Sequence, residues 1–87
     1  MDMRKLVGRN AARLRKAADL TQEQLAVRAG MSQQYISDLE RGLCNPTIVT
    51  LYELATALGV GPVELVRPAD PTGAADSGSS QSTATGD

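Results

Sequence analysis

The sequence predicts an all-α domain of five short helices with a disordered tail behind it. Three observations carry that expectation. Apolar residues recur at helical spacing in successive segments up to Val66, the pattern of helices that bury one face. Residues that cap helices, and glycines that stop them, stand between those segments. Beyond Arg67 the composition changes. The stretch Pro68 to Asp87 contains no Leu, Ile, Val, Met or aromatic residue, so nothing there can offset the entropy of ordering.

The first helix is expected from about Met3 to Ala18. Val7, Ala11 and Leu14 stand at i, i+4 and i+7 with Leu6 alongside, and basic residues fill the rest of its surface. The second helix, about Gln22 to Ala29, opens on Thr21, with Gln24 completing a capping-box pattern. Leu25, Ala26 and Ala29 make one face apolar, and Gly30 can take a positive φ cheaply and stop the helix. Ser32 caps the third helix, about Gln33 to Arg41. There Ile36 and Leu39 point inward with Met31 nearby, while Gln33, Gln34, Ser37 and Asp38 are left outside, and Gly42 ends the run. A loop rich in turn residues, Gly42 to Pro46, leads into the fourth helix. That helix starts near Thr47 and ends at Leu58 before Gly59, with Ile48, Leu51, Leu54, Ala55 and Leu58 as its apolar stripe. Pro62 suits the first turn of a short fifth helix ending near Val66, with Leu65 facing inward.

The 87 residues leave room for one domain, set here at residues 1–67 with the tail at 68–87. The core must be small. It is built from Leu, Ile, Val and Ala, because Tyr35 and Tyr52 are the only aromatic residues. The single cysteine, Cys44, has no internal partner, which favours a reducing compartment. The chain contains no histidine, no metal-ligand cluster, no long apolar run and no signal-peptide pattern. A formal net charge of −1 hides an asymmetry. Arg4, Lys5, Arg9, Arg13, Arg15 and Lys16 crowd the beginning, with the Met1 amine, against Asp2 alone, whereas the tail carries Asp70, Asp76 and Asp87. Overall acidity argues against nucleic acid; the local distribution permits it.

The second and third helices are hinged at Gly30. Two helices joined by so short a turn cross steeply and leave the second exposed along its length, which is how a helix-turn-helix presents itself to the major groove of DNA. An enzyme is excluded as a reading, since no convergent nucleophile and base can be named and no glycine loop could cradle a phosphate.

Residues 3–66 resemble the Cro/cI-type helix-turn-helix domain of phage repressors and bacterial regulators, the xenobiotic-response-element family. The resemblance rests on the runs Leu20 to Ala26, Tyr35 to Gly42, Asn45 to Thr47 and Leu51 to Val60, together with Val7-Gly8 and Leu14-Arg15, in this order and at these separations. The chain is also similar to the small controller proteins of restriction-modification systems. The resemblance implies a compact, lambda-repressor-like five-helix bundle that binds double-stranded DNA through its third helix, often as a homodimer on a two-fold-related operator. No cofactor, metal, membrane or small-molecule ligand is expected, and the implied location is the bacterial or phage-infected cytoplasm, at the nucleoid when bound. Helix four and the Leu65-Val66 end offer the apolar surface for a dimer contact.

The resemblance also assigns roles by position. Gln33 and Gln34 match base-reading positions at the start of the recognition helix, and a glutamine amide can pair with adenine N6 and N7 at once. Asp38 matches a third such position, where a carboxylate either accepts from cytosine N4, or faces water or pairs with a nearby base. Ser37 is a weaker candidate for a base contact. Gln22 matches a position that holds the DNA backbone, aided by the helix dipole. Tyr35 either bonds a phosphate or covers the edge of the core. Ser32, at the entrance of the third helix, joins the phosphate candidates. Asn45 and Thr47 border the start of helix four, where free N–H groups could hold a phosphate, although Asn45 could equally just shape the turn. Arg9, Arg13 and Arg41 are generic phosphate candidates against the simpler reading of a solvated basic face. Arg15 and Glu40 match an arginine and a glutamate that form an ion pair across the bundle, which makes Arg15 structural. A lone Cys44 thiol in the loop is expected to be inert. The competing reading is an antitoxin-like or adaptor module that uses the same scaffold to bind a protein.

Overall fold

The computed structural model describes residues 2–68. The expectation of a disordered tail, and the Met1 amine counted in the basic beginning, lie outside the described residues. Five helices follow in order: α1 (Met3–Ala17), α2 (Gln22–Ala29), α3 (Gln33–Glu40), α4 (Ile48–Leu58) and α5 (Val63–Val66). Ala18 and Arg41, expected as last helical residues, are C-caps.

Local chemistry explains where each helix begins. Asp2 accepts from the backbone N–H of Arg4 at 3.0 Å and starts α1. Thr21 and Gln24 form the complete capping box: Gln24 N–H donates to the Thr21 hydroxyl at 3.1 Å, and Thr21 N–H donates to the Gln24 side-chain oxygen at 2.9 Å. Substituting such a cap costs about 1 kcal/mol. Gly30 ends α2 at φ 70°, in the left-handed region, and Met31 N–H reaches back to the Ala26 carbonyl at 2.9 Å. Ser32 then restarts the chain by accepting from Tyr35 N–H at 3.0 Å.

The core forms where α3 lies against α1 and α2, with α4 closing over α2 and α5 packing on α1. Ala11, Leu25, Ile36, Leu54 and Leu65 are fully buried, and Leu39 and Ala55 nearly so. Each large aliphatic side chain contributes roughly 1.5–3 kcal/mol relative to exposure. Since Ile36 and Leu39 hold the inner face of α3, its opposite face must point away from the bundle.

Ile48 departs from expectation. It is 84% exposed rather than part of the α4 stripe. At 3.6 residues per turn it lies about 75° around the helix from the centre of the buried set Leu54, Ala55 and Leu58. That places it on the flank, beside exposed Tyr52, and in the first turn.

Two residues of α1 fix the packing in ways periodicity does not announce. Asn10 is buried, and its amide donates to the carbonyls of Leu65 and Arg67, both at 2.9 Å. It thereby tethers α5, whose four residues offer too few internal bonds to stand alone. Asn10→Ala strips the donors from both carbonyls, and an unsatisfied buried group costs about 1–3 kcal/mol. The expected result is a lower thermal midpoint with faster amide exchange in residues 63–67. Unchanged exchange there would show that α5 does not depend on this tether. Gly8 is the second such residue: a Cβ there would stand 2.8 Å from the Glu40 carbonyl oxygen and closer still to that of Leu39. The α1 backbone therefore lies directly on the last turn of α3.

Candidate nucleic-acid interface

The outer face of α3 begins with Gln33 and Gln34, both exposed in its first turn. Ser37 and Asp38 follow one turn on and are half-buried. Gln34, Asp38 and Arg41 are joined: the Gln34 amide donates to Asp38 Oδ1 at 2.9 Å, and Arg41 Nη2 donates to the same oxygen at 2.8 Å. Their i, i+4, i+7 spacing lines them along one face of the helix. Arg41, a generic phosphate candidate, is thus engaged with Asp38, and the carboxylate's charge is balanced on the spot.

A second cluster fixes this helix to the bundle. Arg15 and Glu40 form a two-pronged ion pair, Nε to Oε2 at 2.6 Å and Nη2 to Oε1 at 3.1 Å. The side chains are only 12% and 7% exposed, so water screens them little. The third prong, Nη1, donates to the Leu20 carbonyl at 2.8 Å. Hydrogen bonding to Glu40 holds the Arg15 guanidinium above its ordinary pKa, against the opposing effect of burial. Gln22 joins the same carboxylate, its amide donating to Glu40 Oε1 at 3.0 Å. One acid therefore ties α1, the entrance of α2 and the end of α3 together. Gln22 was expected as a backbone ligand. Its amide keeps a second N–H and an oxygen beyond the bond to Glu40, so the bond orients the group without exhausting it.

The remaining candidates are dispersed. Tyr35 is half-buried, with its hydroxyl beside Cys44 and Thr50. Burial first, and then the neighbouring thiol, push its pKa above the usual tyrosine value, while Thr50 pulls the other way. Ser32 and Thr47 both spend their hydroxyl oxygens on capping, Thr47 accepting from Thr50 N–H at 3.1 Å. Asn45 is exposed in the loop before α4. Arg9 and Arg13 are exposed on α1 and belong to neither side-chain cluster. The pairing of Asp38 with a nearby base, one of the two readings of its sequence position, is met by Arg41; sequence reasoning missed the Gln22–Glu40 bond and the Gln34–Asp38 bond. The first joins residues 18 positions apart, and nothing local announces it. The second was visible in its spacing.

Leu65, expected to help form a dimer contact, is fully buried against the core. The exposed large apolar side chains nearby are instead Ile48, Val49 and Tyr52 of α4 and Val63 of α5. Among the described residues no helix is long and apolar enough to cross a membrane, and no group of three acidic, histidine or cysteine side chains could hold a metal ion.

The sequence model of the helix-turn-helix family matches residues 12–65. The chain belongs to that family. In these terms α2 and α3 are the helix-turn-helix pair, and α1, α4 and α5 are the scaffold that holds it. The chain is 67% identical over 72 residues to y4dJ of Sinorhizobium fredii, an HTH-type transcriptional regulator, covering 83% of this chain and 94% of that one. It is 44% identical over 54 residues to the immunity repressor protein of Bacillus phage phi105, covering 62% of this chain but 38% of the repressor. Among solved structures it is similar to the restriction-modification controller protein C.AhdI of Aeromonas hydrophila. There the TM-score is 0.70 and the identity 39%, across 71% of this chain and 90% of that chain.

Proposed function

We propose that the chain is a sequence-specific, double-stranded-DNA-binding transcriptional regulator that represses by occupying its operator with α3 in the major groove. One observation carries this reading: α3 buries Ile36 and Leu39 and turns Gln33 and Gln34 outward at its first turn. A recognition helix contacts base edges from its N-terminal residues in this way. Gln33, Gln34 and Ser37 are the base-contacting set, and Asp38 lies on the same face bonded to Gln34. Ser32, Tyr35, Gln22, Asn45, Thr47, Arg9, Arg13 and Arg41 supply backbone contacts, and Arg15 with Glu40 holds the helix in place. Regulation proceeds by exclusion, without a chemical step. Two protomers, joined through the exposed apolar side chains of α4, would reach half-sites about one helical turn apart. The regulator works in the cytoplasm, at the nucleoid when bound.

The test is the dependence of duplex binding on salt. Neutralising phosphates releases counterions, so log K falls linearly with log salt by about 0.9 per contact. A steep negative slope is expected on mixed-sequence duplex. Absence of duplex binding at low salt would favour the protein-interaction module instead.

A further inference from the structure

We infer that Asp38 is a positioning residue that restricts Gln34 to adenine, and not itself a reader of bases. The inference rests on the proposed reading of DNA by α3. A free glutamine amide is ambiguous: rotated by half a turn, it exchanges donor and acceptor and can satisfy different base edges. Here the ambiguity is removed. Asp38 Oδ1 is an acceptor only, and it lies 2.9 Å from Gln34 Nε2. The reversed amide would set two oxygens against each other. One Nε2 hydrogen is therefore spent on Asp38, and the other is left beside Oε1. A donor and an acceptor side by side on the outer edge of a glutamine are the complement of adenine N7 and N6.

Arg41 completes the device. It reaches the same Oδ1 at 2.8 Å, so the oxygen that orients Gln34 is doubly occupied and the carboxylate's charge is offset next to the phosphates. Direct reading of cytosine by Asp38 would require the acid to abandon this arrangement or rely on its other oxygen. The Asp38 side chain is 34% exposed and half-buried, whereas Gln34, one turn ahead of it, is exposed. Water excluded on docking strengthens the Gln34–Asp38 bond at the moment it is needed.

The experiment compares five proteins on one randomised duplex pool, each selected and sequenced: the wild type, Gln34→Ala, Asp38→Ala, the variant carrying both, and Asp38→Asn. Thermal melts of all five confirm folding. Gln34→Ala should erase the adenine preference at one base pair, by about fivefold or more. Asp38→Ala should relax the same base pair and no other, and adding it to Gln34→Ala should change nothing further. Asp38→Asn keeps a side-chain oxygen able to accept from Gln34, so it should retain the wild-type profile. Three results would overturn the inference: Asp38→Ala altering a different base pair while the Gln34 preference persists, Asp38→Ala leaving the profile intact, or Gln34→Ala doing so. Enrichment of no motif by the wild type would overturn the regulator reading as well, and so is distinct from these.

Discussion

Glu40→Ala should lower stability by about 3–5 kcal/mol, because it leaves the Arg15 charge buried without its partner. In a domain of this size the thermal midpoint should fall by more than about 12 °C. The magnitude follows from burial. An exposed ion pair is worth at most about 1 kcal/mol, but these two side chains are 12% and 7% exposed and bonded at two points. The loss is mainly that of an uncompensated charge, so removing both charges should hurt less than the single losses add up to. Arg15→Met combined with Glu40→Leu should recover much of the stability lost in Glu40→Ala. A fall of under 1 kcal/mol in Glu40→Ala would place the pair among ordinary surface bridges. Duplex affinity should fall in Glu40→Ala even where the domain stays folded, because Gln22 and the end of α3 lose the same anchor.

Gly8→Val should be comparably severe, at about 3 kcal/mol or more, the upper end of the overpacking range. Two effects oppose each other at this position. Replacing a mid-helix glycine gains up to about 1 kcal/mol of helix propensity. The added Cβ, however, meets backbone oxygens of Leu39 and Glu40, which cannot rotate aside as a side chain would. Overpacking wins, and α3 must move off α1. Equilibrium denaturation of Gly8→Val and of the milder Gly8→Ala measures it. A stabilised Gly8→Ala would mean that the two helices are held less closely than the geometry indicates.

Much of the fold was legible because its signals are local. Thr21 with Gln24, Ser32, Gly30 and Gly59 each act within one turn of chain, and each ends or begins a helix where the sequence suggested. What was missed depends on neighbours distant along the chain. Ile48 fitted the period of α4 but lies on the flank of the stripe, and periodicity cannot say how wide the overlying core is. Asn10 and Gly8 did leave traces. A polar residue beside Val7 and Ala11 on an inward face has to find partners, and an isolated glycine inside a helix has a packing reason. Neither trace names the partner, Leu65 in one case and α3 in the other. The site behaved likewise. The outward glutamines of α3 followed from its apolar face, whereas the sharing of Glu40 between Arg15 and Gln22 needed three helices in place.

The central claim is that the outer face of α3 reads base edges of duplex DNA. Selection of binders from random duplex, followed by measured affinities for the enriched site and for unrelated duplex, tests it most directly. The wild type should enrich a single motif, and Gln33→Ala or Gln34→Ala should reduce the ratio of specific to nonspecific affinity by about 1–3 kcal/mol. An enriched motif whose specificity ratio survives both substitutions unchanged would contradict the claim.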